Sequence, residues 1–424
     1  MIKQFIALGL FLGAYYVILS KTQRTSVKVF LLGLIAAVLK LSEGLTVENI
    51  SRVVDFNTIG LLLGMMIIVA VMKTTGFFQM AAIYAVRLGR GQLKRTFLML
   101  MIFIAVLSAF LDNVTTLLIF APILFLVCDA AGVDPSRMLT LGIVASNIGG
   151  ISTMIGDPPN IIIGLAGGLS FTSFITHLAP VAFLLTLISA LLLTRDIHEE
   201  KESLEGLRKL ATTNPIQAIT DKKTLSRLIV VFVATIVGFA FHERLKIDIA
   251  FIALVGASLS LILAGKNFED VAKEVEWDTL FFFMGLFSLT YVVRELGLLS
   301  KFAGLVSLIH SPLLLTLLLV WLGAIMSALL SAVPTTVVLV PVVKHLVELG
   351  HPIQLWWAIA LGIGIGSNTT PMGAAVNIVA ISLLKKFTGK TLTFKDFFKV
   401  SSLIVLIGLM VSSLYALLLS FAGW

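Results

Sequence analysis

Asp112 and Asn113 stand between two apolar segments and are the first residues in the chain that could carry chemistry. The segments, 97–111 and 114–128, are too closely spaced to leave a membrane and return, so together they predict a re-entrant hairpin. A carboxylate near the middle of a bilayer costs roughly 2.5 kcal/mol or more. Binding of a cation or a proton lowers that cost, as does a water-filled cavity. Capping of the second segment is the structural alternative for Asp112.

A second polar segment, SNIGGISTMIGDPPN at 146–160, is too rich in Gly, Ser, Thr, Asn and Pro to form a continuous helix. Unwinding at Gly149 and Gly150 frees carbonyl oxygens that can coordinate a cation. The helix that restarts after Asp157 presents amide groups that favour an anion. Because an aspartate followed by proline is also a good helix start, capping and ion binding both stay open for Asp157. This interruption therefore predicts two kinds of site.

The same pattern returns in the second half of the chain without its carboxylates. SAFLDNVTTLLIFAP at 108–122 matches SALLSAVPTTVVLVP at 327–341, and GGISTMIGDPPNI at 149–161 matches GSNTTPMGAAVNI at 366–378. Motif order, spacing and glycines are kept together, which chance similarity between apolar segments does not do. The second half offers only hydroxyl and amide ligands, so it suits a neutral or anionic group.

The elements that position these motifs are membrane-spanning helices. The chain has 424 residues, of which 58% are hydrophobic and 13% charged, and its mean hydropathy is +1.06. This composition excludes a soluble domain, where about 25% of residues are charged. Continuous apolar segments also exclude a β-barrel, whose strands alternate over about ten residues. We therefore predict an all-α polytopic membrane protein built from two inverted repeats, each with a re-entrant helical hairpin and a broken transmembrane helix.

The predicted domains are two halves joined by a polar linker. The ranges are 1–194 for the first half, with hairpin 97–128 and broken helix 138–165; 195–227 for the cytoplasmic linker; and 228–424 for the second half, with hairpin 312–347 and broken helix 353–384.

Topology follows from the distribution of Lys and Arg. With both termini outside, loops that include 73–95 and 195–227 lie in the cytoplasm and bring 23 of the 31 basic residues to that side. The first hairpin then opens to the cytoplasm and the second to the exterior, which makes the repeats inverted, as in secondary transporters with a site at the bilayer midplane. The net charge of +8 is expected to meet lipid headgroups rather than nucleic acid.

Several other functions are excluded or weakly supported by the sequence. The single cysteine, Cys128, excludes an internal disulfide and a multi-cysteine metal site. No phosphate-binding loop of the G-x-x-x-x-G-K-[ST] type occurs, so the chain does not drive transport by its own ATPase. An intramembrane enzyme would need a nucleophile and a base at depth, and a channel would need a continuous polar pore. Polar residues at span ends are best explained by snorkelling to the interface; they are His177, Arg294, Glu295, Lys344 and His345.

The motifs at 60–82, 107–122 and 146–163 closely resemble the ion transporter superfamily. They are most similar to its arsenite/antimonite efflux and Na+/H+ antiporter branch, in particular to members similar to the melanosomal P protein. VEWDTLFFFMGLF at 275–287 extends the resemblance to nearly the whole chain. The resemblance implies a scaffold domain and a transport domain that moves as an elevator, often in a homodimer, with the two hairpin tips and the two broken helices around the substrate.

The resemblance also implies roles for individual residues. Ion coupling, by H+ or Na+ and with no other cofactor, would use Asp112, Asn113, Thr116, Asn147, Gly149, Gly150, Ser152 and Asp157, with Na+ at Asp112, Asn113 and Gly149. Substrate binding would use Thr115, Thr153, Asn160, Ser331, Thr335, Thr336, Ser367, Asn368, Thr369, Thr370 and Asn377. Many relatives carry Asp-Asn-Ile-Pro at the second tip. This chain has Ser331 to Pro334 there, and it has Ala374 where the first half has Asp157, so a second acidic site is not expected.

The resulting functional expectation is a secondary transporter rather than an enzyme. The leading interpretation is ion-coupled export of a small oxyanion or hydroxide such as arsenite or antimonite. The alternatives are a Na+/H+ antiporter and a chloride or dicarboxylate transporter. The expected partners are the lipid bilayer, a small inorganic solute and a second copy of the chain, with a separate ATPase subunit left open and nucleic acid excluded. The expected location is a prokaryotic inner (plasma) membrane.

Overall fold

The structure is a computed structural model that describes residues 2–20, 24–194, 203–297, 304, 309 and 311–422. Every regular element in these ranges is helical, which confirms the all-α prediction. The helices are α1 (Ile2–Leu19), α2 (Thr25–Val38), α3 (Ile50–Val53), α4 (Phe56–Lys73), α5 (Phe77–Leu88), α6 (Leu93–Ser108), α7 (Asn113–Ala130), α8 (Pro135–Ile151), α9 (Pro158–Gly167), α10 (Phe171–Thr194), α11 (Ser203–Ala211), α12 (Lys222–Leu245), α13 (Ile249–Ala264), α14 (Phe268–Ala272), α15 (Trp277–Glu295), α16 (Pro312–Leu330), α17 (Ala332–Glu348), α18 (Leu355–Gly366), α19 (Ala375–Thr388) and α20 (Phe394–Ala422).

Six helices in the described ranges are long and apolar enough to cross a membrane, and five shorter apolar helices accompany them. The long ones are Phe56–Lys73, Asn113–Ala130, Phe171–Leu192, Lys222–Leu245, Pro312–Leu330 and Phe394–Ser420. Large apolar side chains on α13 point outward, among them Phe251 at 63% and Ile262 at 73% exposure. Apolar residues on the outer surface are expected where the solvent is lipid.

Two glycines at matching positions of the halves allow helices to pack with their backbones close together. A Cβ atom at Gly64 would lie 2.6 Å from the carbonyl carbon of Ala253, so α4 could not approach α13 as it does with any other residue. At Gly285 a Cβ atom would lie 2.5 Å from the Cα atom of Phe30, and this glycine seats α15 on α2. Each half therefore contains a tightly packed pair of helices beside its hairpin.

Each predicted hairpin consists of two helices joined by a short turn. In the first, α6 and α7 are separated by residues 109–112. In the second, only Ser331 separates α16 from α17, and it has the left-handed φ of 76°. The amide of Ala332 then donates to the carbonyl oxygen of Gly373 at 2.9 Å, which attaches the second tip to the second broken helix.

Each predicted broken helix is interrupted at its polar motif, between α8 and α9 and between α18 and α19. One asparagine in each half holds the interruption together. The side-chain nitrogen of Asn160 donates to the carbonyl oxygens of Gly150, Ile151 and Thr153, at 3.0, 3.2 and 2.9 Å. In the other half Asn377 donates to the carbonyls of Ser367 and Thr370 at 2.8 and 2.9 Å. The two amides satisfy backbone groups that unwinding would leave unpaired.

Two stretches differ from the sequence-based expectation. The loop expected at 73–95 contains α5, which begins after Gly76 at a left-handed φ of 80° and buries one face. The linker expected to end at 227 ends earlier, because Asp221 caps α12 by accepting from the Thr224 amide at 3.0 Å. Within the linker, before Asp221, lie α11 and a 3-10 turn, Pro215–Ala218. The first residues of the linker, 195–202, lie outside the described residues.

Candidate functional site

A cavity of about 480 Å3, called the tip cavity below, lies where the two hairpin tips meet the two helix interruptions. Four helices begin at its wall: α7 with Asn113, α9 with Pro158, α17 with Ala332 and α19 with Ala375. The polar and charged residues that line it are Arg24, Thr25, Ser26, Asp112, Asn113, Asp157, Glu276, Asp278, Thr279 and Ser331. Helix starts carry positive partial charge, so this wall attracts anions wherever carboxylates are absent.

The two aspartates predicted from the sequence behave differently at their helix starts. Asp112 caps α7, because its Oδ2 atom accepts from the Thr115 amide at 2.8 Å. Asp157 precedes α9 but makes no capping hydrogen bond. The residues after it, Pro158 and Pro159, have no N–H group, and the amide of Asn160 donates instead to the Asp157 backbone carbonyl at 2.9 Å. The carboxylate of Asp157 is therefore buried without a helix cap.

A third carboxylate, Glu276, faces Asp112 across the tip cavity within hydrogen-bonding reach. It stands at the start of α15, where its Oε2 atom accepts from the Thr279 hydroxyl at 3.1 Å. Sequence reasoning missed it because it lies at the end of an ordinary span. The repeat could have found it, since Thr279 matches Thr58, whose hydroxyl likewise donates to the carboxylate three residues before it, Asp55.

Behind the tip cavity a buried amide connects the two halves. The side-chain nitrogen of Asn147 donates to the side-chain oxygens of Asn368 at 3.0 Å and Asn377 at 3.1 Å. All three side chains are almost inaccessible to solvent. The residues come from α8, the second interruption and α19, so one side chain joins the polar motif of the first half to the polar motif of the second.

The amide of Asn113 completes this cluster. The side-chain amide of Asn113 can be placed with its oxygen and nitrogen in either of two orientations. In the one that satisfies the nitrogen, it donates to Ser108 Oγ at 2.5 Å and to the carbonyls of Ser146 and Gly156, both at 3.1 Å. The oxygen of Asn113 then faces the side-chain oxygen of Asn147 at 3.3 Å. Two acceptor oxygens directed at each other are unfavourable unless a donor or a cation lies beside them.

The hydroxyl groups predicted to bind substrate mostly bond to nearby backbone. Thr335 and Thr336 donate to the carbonyls of Ser331 and Ala332 within α17 and the preceding turn, both at 2.8 Å. Ser367 donates to the carbonyl of Gly364, Thr370 to that of Ala328, and Thr153 to that of Ala109. Thr369 is half-buried at the second interruption. Of the predicted substrate residues only Ser331 lines the tip cavity.

Three predicted residues face away from the carboxylates. Gly149, Ser152 and Thr153 line a separate, mainly apolar cavity of about 210 Å3 beside α10. The Gly149 carbonyl already accepts from the Ser152 amide and hydroxyl. A cation at the Asn113 and Asn147 oxygens would therefore have Gly150 closer than Gly149, because a Cβ atom at Gly150 would touch the Asn113 amide.

Two further placements restrict the chemistry of the site. The Thr116 hydroxyl oxygen is buried in α7 with no hydrogen-bond partner in the described part of the chain. Thr115 and Asp112 line a small cavity of about 30 Å3 beside α4. Within the described ranges, no group of three or more His, Cys, Asp or Glu side chains is arranged to hold a metal ion. Cys128 is buried in α7 away from the tip cavity.

Comparison with known proteins agrees with the membrane-transport interpretation. The family described as citrate transporters (CitMHS) matches residues 14–362. An uncharacterized transporter of Mycobacterium tuberculosis is 34% identical over 368 residues, covering 85% of this chain and 86% of that protein. The P protein of Mus musculus is 30% identical across 99% of this chain, which spans 60% of that protein's length. The crystal structure of the Alcanivorax borkumensis YdaH transporter matches with a TM-score of 0.65 and 17% identity over 99% of both chains.

Proposed function

We propose, from the premise that this chain belongs to the CitMHS citrate transporter family, that it is a secondary transporter coupling a small anion to H+ or Na+. The resemblance to the ion transporter superfamily predicted from the motifs is confirmed, and the chain is an integral membrane transporter of that kind. Substrate, coupling ion and mechanism are the parts of this proposal that rest on the site.

The observation that carries the anion assignment is the convergence of helix starts on the tip cavity. The wall opposite the aspartates is formed by the second hairpin tip and the second interruption, where α17 and α19 begin. Among the described residues of these two segments, Ser331 carries the one hydroxyl that lines the cavity. Within the two cavity-lining segments 331–334 and 374–376 there is no carboxylate. Amide groups at a helix start bind anions without a basic side chain, so we place the anion against this wall.

The other wall, formed by the first hairpin tip, the first interruption and the start of α15, supports a cation or proton site. Asp112, Asp157 and Glu276 are three of the four carboxylates that line the cavity, and the fourth, Asp278, accepts from the Ser26 hydroxyl at 2.6 Å. The facing oxygens of Asn113 and Asn147 lie beside the first tip. Neutral oxygens suit Na+, whereas two carboxyl groups within hydrogen-bonding reach suit a shared proton. Because Asn147 also bonds the second-half asparagines, we expect binding at one wall to influence the other.

The solute we favour is an oxygen-bearing anion. Citrate or a dicarboxylate fits the family description, and the oxyanion forms of arsenite and antimonite fit the same amide contacts. Trivalent arsenic bound by thiols does not fit, since Cys128 lies away from the tip cavity. Na+/H+ antiport without a second solute is the other candidate, and the three carboxylates favour it. An elevator motion in a homodimer in a prokaryotic inner membrane remains our expectation for the mechanism.

Flux in proteoliposomes tests these assignments together. The panel is citrate, succinate, arsenite, antimonite, chloride and Na+, each with and without an imposed pH gradient and with Na+ replaced by K+. Gradient-driven accumulation of a carboxylate or an oxyanion supports the proposal. Proton movement driven by Na+ alone, with no anion flux, favours the antiporter. A chain that moves nothing in the panel contradicts both.

A further inference from the structure

A second cavity, of about 550 Å3 and called the basic cavity below, lies at the opposite end of α15 from the tip cavity. The tip cavity contacts α15 between Glu276 and Phe283, whereas the basic cavity contacts it between Phe287 and Arg294. Glu276 and Arg294, the outermost of these residues, are about 27 Å apart along the helix, which rises 1.5 Å per residue. The two cavities therefore lie toward opposite faces of the membrane.

Only about one helical turn separates the two cavities. On α17, Pro334 lines the tip cavity and Val337 lines the basic cavity. On α9, Pro158 lines the tip cavity and Ile162 the basic cavity. Steps of three and four residues correspond to roughly 4.5–6 Å along a helix. The cavities are thus arranged end to end, with about one helical turn of protein between them.

The basic cavity carries an excess of positive charge. Arg52, Arg294 and Lys344 reach it from the segment before α4, from α15 and from α17. Among the described residues no ion pair involves any of the three. The acidic residues of the cavity are Glu348 and Asp55, and the oxygens of Asp55 already accept three hydrogen bonds from the first turn of α4.

Snorkelling accounts for one basic residue at a helix end, but three from separate elements around one cavity need a further reason. In the predicted topology only eight of the 31 basic residues lie on the exterior side of the membrane. Three of those eight line the basic cavity. The cavity also contains Thr290, whose hydroxyl oxygen is buried without a hydrogen-bond partner in the described part of the chain. A hydroxyl beside unpaired guanidinium and ammonium groups suits an oxygen-bearing anion.

We propose that the basic cavity is an anion-binding vestibule, through which the transported solute enters or leaves on the membrane face opposite the tip cavity. Arg294 and Lys344 hold the anion there, and Arg52 contributes to the attracting potential. The proposal rests on the proposed function for the identity of the anion, but the positive potential and the sidedness of the cavity do not depend on it.

Thiol modification tests the vestibule without requiring transport. In a Cys128→Ser background, Ala166→Cys places a thiol in the basic cavity and Ala375→Cys places one in the tip cavity. We expect the two thiols to react with membrane-impermeant reagents from opposite sides of oriented proteoliposomes. Reaction of both from the same side would overturn the assignment of the basic cavity as the opposite vestibule.

The potential is measured as the ratio of modification rates with an anionic and a cationic methanethiosulfonate at Ala166→Cys. Removing one unit charge from the wall of the same cavity should lower this ratio about threefold or more, so Arg294→Gln and Lys344→Gln should each do so. Arg294→Lys should keep the ratio. The matched control is Arg244→Gln, because Arg244, like Arg294, is the next-to-last residue of its helix. Both guanidinium groups lie over an aromatic ring: that of Arg244 is 5.7 Å from the centre of the Phe241 ring, and that of Arg294 is 5.4 Å from the centre of the Tyr291 ring. An unchanged ratio in the Arg294 and Lys344 variants would refute the positive vestibule.

Protection and flux then identify the anion. Citrate or arsenite should slow modification of Ala166→Cys in liposomes of zwitterionic lipid. If only anionic lipid protects the thiol, the cavity holds a headgroup and the vestibule assignment is wrong. For a solute that the wild type carries, Arg294→Gln should raise the apparent KM several-fold on the basic-cavity side alone. A wild type that carries no anion would refute the proposed function, while the labelling results would still decide whether the cavity is positive and on the opposite face.

Discussion

Replacement of Asp112 separates its two roles, since it caps α7 and also faces the tip cavity. The cap is one hydrogen bond, from the Thr115 amide at 2.8 Å. Asn caps as well as Asp does, whereas Ala in place of a capping residue costs about 1 kcal/mol. We therefore expect Asp112→Asn to unfold at the wild-type temperature or slightly above it, because a buried charge has been removed. Asp112→Ala should lose about 1 kcal/mol, or roughly 1–2 °C in a chain of this length.

Transport should respond differently from stability. If the Asp112 carboxylate holds the coupling proton or cation, both variants lose flux driven by the ion gradient, although only Asp112→Ala is destabilised. Slow exchange of solute down its own gradient can remain. The assay is gradient-driven uptake in proteoliposomes at matched protein density, with thermal unfolding of the same preparations in detergent.

A matched control is available in α12. Asp221 accepts from the Thr224 amide at 3.0 Å, in the same position of its helix as Asp112 but exposed and remote from the tip cavity. Asp221→Asn should keep both stability and gradient-driven flux. Full gradient-driven flux in Asp112→Asn would refute the coupling role and leave capping as the function of this carboxylate.

Three further predictions concern other parts of the molecule. Tyr15→Phe removes the buried hydrogen bond from the Tyr15 hydroxyl to the Pro334 carbonyl, 2.8 Å long, and should lower stability by about 1 kcal/mol; an unchanged unfolding temperature would contradict this. Burial raises the pKa of Asp134, but the Lys390 ammonium at 2.7 Å and the hydrogen bonds from Ser136 together hold that pKa below its ordinary value. Lys390→Met should therefore cost under about 1 kcal/mol while Asp134 is ionised and nothing once Asp134 is protonated. A loss of stability in Lys390→Met that grew as the pH was lowered would contradict this prediction. Lys209→Cys, exposed on α11, should react with impermeant maleimide only in opened cells if the linker is cytoplasmic, whereas reaction in intact cells would reverse the topology.

The hairpins and helix interruptions could be predicted because their causes are local. A membrane helix cannot continue through Pro158 and Pro159, and a polar turn between two short apolar segments limits where the chain can reverse. The repeat then confined the search to two places in each half. The asparagines that close the interruptions, Asn160 and Asn377, were predicted as substrate ligands, whereas in the structure their nitrogens are bonded to backbone carbonyls. What a side chain bonds after folding depends on carbonyls freed elsewhere, which sequence does not locate.

The capping expectations show a similar limit at closer range. The sequence favoured capping more for Asp157 than for Asp112, and the structure has the reverse. Part of the reason is visible in the sequence, since a capping side chain accepts from the second or third amide of its helix and Pro159 removes the second. The third, from Asn160, donates to the Asp157 backbone carbonyl instead. Glu276 was missed for a different reason. Its role depends on the distance between α15 and the first hairpin tip, and no pattern within either segment specifies that distance.

The two halves share a framework and differ in charge, and this difference is what a coupled transporter needs. Asn160 and Asn377 do the same work, so each interruption is held open by the same chemistry. Asp157 at one interruption corresponds to Ala374 at the other, which leaves the second set of helix starts unopposed by a carboxylate. A cation on one wall and an anion on the other form a nearly neutral unit, and moving such a unit through a low-dielectric barrier costs far less than moving either ion alone. Asn147, bonded to the second half and facing Asn113 of the first, is the side chain through which occupancy of one wall would reach the other.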